Sequence, residues 1–169
     1  MDVSVILENV RSLYNVGAVM RVCDGAGVAR VIACGITPYP PQSVSDPRRG
    51  PVIARAEREL RKTALAAYES VRVEFAPGVA EAAARVAGAA VIAVERMPQA
   101  ADLWQAPYLD RRPLALLFGH ETDGLSPEAL ALADATISIP MYGAGKSLNV
   151  ATAVAVVLYE VVRRQSTSA

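Results

Sequence analysis

Residues 137–160 read ISIPMYGAGKSLNVATAVAVVLYE, and the stretch changes character twice. A short β-branched run ends at Pro140, a glycine loop occupies residues 142–146, and a helix follows whose positions from Val150 to Leu158 leave almost no polar face. Strand, loop and helix in that order is the repeating unit of an α/β layer fold. A helix this apolar has to be covered on nearly all sides, by its own sheet, by a second subunit or by both. Its first turn holds Ser147 and Asn149, side chains that cap helix starts, beside backbone N–H groups without a helical partner, which favour polar and anionic ligands. A ligand is therefore expected at this loop. The competing readings are a capped, buried helix after an ordinary loop, and a phosphate-binding P-loop. GAGKS ends like the latter, but that motif needs a glycine five residues before Gly145, and Pro140 stands there.

Outward from this stretch the same unit repeats. Strands are expected at residues 3–7, 30–34, 71–75, 89–94, 114–118 and 135–139. Helices are expected at residues 15–26 with Asn15 as cap, 52–60, 78–87, and 127–133 with Ser126 as cap and Pro127 in the first position. Residues 101–105 read as one helical turn. Residues 35–51 carry Pro38, Pro40, Pro41, Pro47 and Pro51, too many for a helix or a central strand, so they form an irregular excursion. LALLF at residues 114–118 is apolar throughout, the pattern of a sheet centre covered on both faces. The alternation predicts an α/β fold, a mainly parallel sheet with helices on both faces. In such sheets ligands lie outside the carboxyl ends of the strands, and three loops qualify by composition: residues 9–15, 119–124 (GHETDG) and 140–146.

The chain has 169 residues, which fits one domain over residues 1–169. A hydrophobic fraction of 53% with 20% charged residues excludes disorder. No apolar run approaches the roughly 20 residues that span a bilayer, so no membrane partner is expected. The start of the sequence shows no basic leader, which makes the cytoplasm the expected location. Cys23 and Cys34 have neither metal-ligand spacing nor a secreted framework, and no metal is expected. Lys and Arg number 17 against 17 Asp and Glu, so global charge predicts no polyanion partner. The distribution differs: between residues 46 and 62 lie Arg48, Arg49, Arg55, Arg58, Arg61 and Lys62, against only Asp46, Glu57 and Glu59. That segment is either a solvated helix face with internal ion pairs or a surface that contacts phosphates.

Read together, the three loops resemble the three motifs of the SpoU (TrmH-like) family of RNA ribose 2′-O-methyltransferases, in the SPOUT superfamily. ENVRSLYNVGAVMRVCDGAGV matches the first through Asn15, Gly17 and Arg21. LLFGHETDGLS matches the second through Gly119, Glu121 and Gly124. IPMYGAGKSLNVATAVAVVLYE matches the third through Pro140, Ser147, Leu148 and Asn149. The likeness runs in register over nearly the whole chain, in a minimal single-domain form. It implies a deep trefoil knot at the C-terminal end, S-adenosylmethionine held there by the second and third motifs, and a homodimer. It also implies methyl transfer to a ribose 2′-hydroxyl of tRNA or rRNA. The alternatives are a catalytically silent RNA-binding or ribosome-associated module of the same fold, against which the matched polar residues speak, and methylation of a base.

What the resemblance implies for single residues is specific. Arg21 belongs at the reacting end. Arginine gives up its proton too reluctantly near neutral pH to be an attractive base, so a phosphate clamp that orients the ribose is the preferred role. Asn15 caps its helix or holds Arg21 or the substrate, and Glu121 orients Arg21 or anchors a loop. Ser147 and Asn149 serve the site through hydrogen bonds. Gly119, Ile139, Met141, Ser147 and Leu148 shape the cofactor pocket, with Val94 at the end of a neighbouring strand. Arg48, Arg49, Arg55, Arg58 and Arg61 are the RNA-contacting candidates. His120, the only histidine, stands beside the matched glycine and not at a matched catalytic position, so a loop contact is expected of it.

Overall fold

A computed structural model describes residues 2–43, 46–110 and 113–167. In chain order the elements are β1 (Val3–Glu8), α1 (Leu13–Gly25), β2 (Arg30–Cys34), α2 (Gly50–Ala64), α3 (Ala67–Ser70), β3 (Arg72–Ala76), α4 (Val79–Ala84), β4 (Ala90–Val94), β5 (Ala101–Asp102), a 3-10 turn (Pro107–Asp110), β6 (Leu114–Phe118), α5 (Pro127–Leu132), β7 (Ala135–Ser138) and α6 (Val150–Thr167). Among the described residues, seven strands form one sheet in the order β3-β2-β1-β6-β4-β7-β5. Every pairing between them is parallel.

The all-parallel sheet follows from residue pattern. β6 is buried at every position, as its uninterrupted apolar run requires. Alternate residues of the central strands serve opposite layers. Val5, Leu7, Val31, Leu116 and Phe118 face α1 and α6, whereas Ile6, Ile32, Ala115 and Leu117 face Val79 and Ala82 of α4 and Ala129 of α5. Helices thus cover both faces. α1 and α2 pack closely at Gly17, where an added Cβ would overlap Thr63 Oγ1.

Some local expectations are corrected. The cap of α1 is Ser12, whose Oγ accepts from the backbone N–H of Asn15, so Asn15 lies inside the helix with its side chain available for other work. Residues 101–102 pair with β7 as a short edge strand instead of forming a helical turn, because the segment lies in register beside Ile137 and Ser138. α2 starts earlier and ends later than residues 52–60, with Pro51 in its first turn. Residues 44 and 45 of the proline-rich excursion lie outside the described residues.

The chain runs β1 to β2 to β3 in one direction across the sheet, while β6, β4 and β7 lie on the other side of β1. The reversal falls between β1 and β6, a topological switch point, and the carboxyl ends of all strands share one edge. The loops after β1, β4, β6 and β7 therefore gather there. Arg164 anchors α6 to the segment after β5, donating to the carbonyls of Leu103 and Ala106. Glu160 of the same helix is buried and orients it, accepting from Arg163 Nε at 2.8 Å and Arg164 Nε at 2.6 Å. Hydrogen bonds from these arginines outweigh the effect of burial and hold the Glu160 carboxyl down at about 2.

Candidate active site

Asn15 sits in the first turn of α1, buried, and its amide is engaged at both ends. Nδ2 donates to Glu121 Oε1 at 2.9 Å, and Oδ1 accepts from Asn149 Nδ2 at 3.0 Å. Asn149 in turn caps α6, its Oδ1 accepting from the backbone N–H of Ala151 at 2.9 Å and of Thr152 at 3.4 Å. The other oxygen of Glu121 accepts from the backbone N–H of Arg11 at 3.3 Å. One hydrogen-bonded chain thus ties together the loops after β1, β6 and β7. Burial alone would raise the Glu121 carboxyl, but hydrogen bonds from Asn15 and from backbone N–H groups overcome it and hold it below the usual carboxylate range.

Beside this chain lies a cleft of about 350 Å³, and all six pocket residues expected from the sequence, Val94, Gly119, Ile139, Met141, Ser147 and Leu148, line it. Gly119 is required by close approach: a Cβ there would overlap the backbone of Gly124 and Leu125 across the GHETDG turn. His120 fastens that turn, its Nδ1 accepting from the backbone N–H of Thr122 at 3.2 Å and of Asp123 at 3.1 Å, which makes it a loop contact. At the far end of the turn, Glu8 accepts from Ser126 N at 2.9 Å and Oγ at 2.6 Å. The loop is therefore held at both ends.

Glu95 and Arg96 are among the lining residues that the expected set left out. Glu95 accepts from the backbone N–H of Leu125 at 2.9 Å, and Arg96 donates to the carbonyl of Lys146 at 2.8 Å, bracing the glycine loop from the side. Both follow β4, and the rule that placed ligands at strand ends applied to them as well as to Val94.

Arg21 lies outside the cleft, and Glu121, spent on Asn15 and Arg11, does not orient it. Arg21 lies on the outer face of α1 in a groove shared with Arg11, Arg55 and Lys62. Among the described residues, none of these four side chains makes a hydrogen bond or ion pair.

The other basic candidates divide. Arg48 is tied into its own loop by Asp46 and by the carbonyls of Tyr39 and Pro40, and its guanidinium lies 3.7 Å from the centre of the Tyr39 ring. Its guanidinium is thus engaged within its own loop, with the side chain half-buried. Arg61 pairs with Glu57 and Glu69 and covers the Tyr68 ring, so it too is spent internally. Arg58 pairs with Glu59 at the surface, whereas Arg49 and Arg55 are exposed and unpaired among the described residues.

Comparison with known proteins places these features in context. Residues 50–159 match the SpoU rRNA Methylase family. A tRNA (guanosine(18)-2′-O)-methyltransferase of Thermus thermophilus is 34% identical over 97% of this chain and 76% of its own length. The SpoU methyltransferase AviRb of Streptomyces viridochromogenes, solved in complex with the cofactor AdoMet, superposes with a TM-score of 0.74 at 27% identity, over 97% of this chain and 58% of that one. A structure that addresses 2-OH methylation of C/U34 on tRNA superposes with a TM-score of 0.72 at 29% identity, over 99% of this chain and 97% of that one.

Proposed function

Because the chain belongs to the SpoU rRNA methylase family, we propose that it transfers a methyl group from S-adenosylmethionine to a ribose 2′-hydroxyl of tRNA or rRNA. It does so as one methyltransferase domain, in the cytoplasm, as a homodimer. The observation that carries this reading is the hydrogen-bonded chain Glu121–Asn15–Asn149, which joins three loops distant in sequence at the rim of one cleft. A silent RNA-binding module would have no use for that arrangement beside a preformed pocket.

The cleft suits the cofactor. Val94, Ile139 and Leu148 offer apolar walls for an adenine ring, and Glu95, Lys146 and Ser147 offer polar groups for a ribose and an amino-acid end. When bound, S-adenosylmethionine supplies a methyl group made electrophilic by its sulfonium. The chain's own residues hold and orient. Asn15, Asn149 and Glu121 fix the loops relative to one another, and fixing two reactants in line supplies roughly 7–11 kcal/mol of the barrier reduction. Arg21, with Arg11, Arg55 and Lys62, forms a cationic groove for the RNA backbone, and its planar fork suits a phosphate beside the target ribose.

The homodimer is supported by α6. Tyr159 on its outer face is 52% exposed, and Ala155, Val156 and Val162 beside it are only half covered by the chain's own layers. Calorimetry tests the cofactor: S-adenosylmethionine should bind without added metal or nucleotide triphosphate. Saturable ATP binding with no S-adenosylmethionine binding contradicts the proposal.

A further inference from the structure

A third recess, of about 670 Å³, opens between the residues that follow β2 and the first turns of α2. Its walls are apolar: Leu13, Ile36, Pro38, Pro51 and Val52. Ile36 is 63% exposed and Val52 51%, so two aliphatic side chains stand in water at the mouth of one hollow, where folding alone gives them nothing to cover. The back of the hollow is rigid, since Tyr39 stacks on Phe75 at 4.2 Å with Arg48 clamped over its other face.

Arg11 and Arg55 line this recess and also the Arg21 groove, so the two are continuous. Neither guanidinium has a partner among the described residues. An apolar hollow with free guanidinium groups at its rim matches a single-stranded nucleotide, its phosphate on the arginines and its base against the wall. A base inside a duplex is stacked and cannot enter.

We infer that this recess takes an unpaired base of the substrate RNA, near the nucleotide whose ribose is methylated, with Arg11 and Arg55 on the intervening phosphate. The inference rests on the methyltransferase reading above. Arg11 is then a positioning residue. Its backbone N–H bonds Glu121 at the rim of the cofactor cleft while its side chain faces the RNA, so seating the base sets the register of the strand against the cleft.

The test uses the full chain, a short oligouridylate, its abasic counterpart of equal charge, and an RNA duplex. The wild type should prefer the oligouridylate over the other two by about tenfold, the effect of covering apolar wall and base at roughly 25 cal/mol per Å². Ile36→Ser with Val52→Ser, both at exposed positions, should erase that preference and leave affinity for the abasic strand and for S-adenosylmethionine unchanged. No preference in the wild type, or a preference that survives in the variant, overturns the inference. Should the variant fold poorly, oligonucleotides carrying 4-thiouridine decide the matter in the wild type: crosslinks to residues 36–39 or 51–56 support the recess, and crosslinks confined elsewhere refute it. Cofactor binding and methyl transfer by the wild type are read in parallel. If both persist while the base preference is absent, only this inference fails; if both are absent, the methyltransferase reading fails.

Discussion

Asn15 and Asn149 stand 134 positions apart and share a 3.0 Å hydrogen bond, from Nδ2 of Asn149 to Oδ1 of Asn15. The bond orients both amides. Asn15 must turn its oxygen to Asn149 because its nitrogen is needed by Glu121, and Asn149 must turn its oxygen inward because it caps α6. No carboxylate could replace Asn15, since it would lack the donor and face Glu121 with like charge.

Removing this bridge should therefore cost activity and stability together. Asn15→Ala leaves a carboxylate oxygen and an amide donor without their partner, a loss of about 1–3 kcal/mol. A double-mutant cycle with Asn149→Ala, read by urea unfolding, should give a coupling energy of roughly 0.5–3 kcal/mol. Strict additivity would mean that the bond does not link the two loops.

Leu65 offers a stabilising change. It terminates α2 at φ 54 and ψ −130, a conformation that suits glycine and strains a branched side chain, and it is 58% exposed, so little burial is at stake. Leu65→Gly should raise stability by about 1 kcal/mol, strain relief exceeding the added chain entropy. A lower urea midpoint would show that the strain is absent.

The fold was legible in the residues to different depths. LALLF announced the sheet centre, and Ser126 with Pro127 announced α5, because each signal is local. The cap of α1 was misread, since Ser12 and Asn15 are both good capping residues and only the partners of Asn15, distant in sequence, decide between them. The pocket lining was legible once the three motifs were matched. The choice between the two parts open to Glu121 was not, because local pattern does not show that Asn15 and Arg11 claim its oxygens. Arg48 and Arg61 were grouped with the free arginines by composition, whereas ring faces and carbonyls contributed by other segments claim them.

The two roles open to Arg21 separate by substitution. Arg21→Lys keeps the charge and loses the planar fork. A phosphate clamp should be crippled over the whole range of roughly pH 6 to 10, with S-adenosylmethionine affinity intact because Arg21 lies outside the cleft. Recovery of single-turnover rate at high pH, with no matching rise in the wild type, would assign it the proton-abstracting role instead.

Association should run through the outer face of α6. Sedimentation is expected to give twice the chain mass, and Tyr159→Asp should shift the protein towards monomer by burying a charge at the interface. A fully active monomer at micromolar concentration would remove the dimer from the account.

The most direct test asks where the methyl group goes. Substrate tRNA and rRNA lacking modifications are incubated with the protein and S-adenosylmethionine labelled in the methyl group, then hydrolysed in alkali. A 2′-O-methyl group blocks cleavage at its own phosphodiester, so the account predicts label in alkali-resistant dinucleotides, lost in Asn15→Ala and Arg21→Ala. Label in mononucleotides would mean base methylation, and no transfer to either RNA by a protein that binds the cofactor would contradict the ribose methyltransferase assignment.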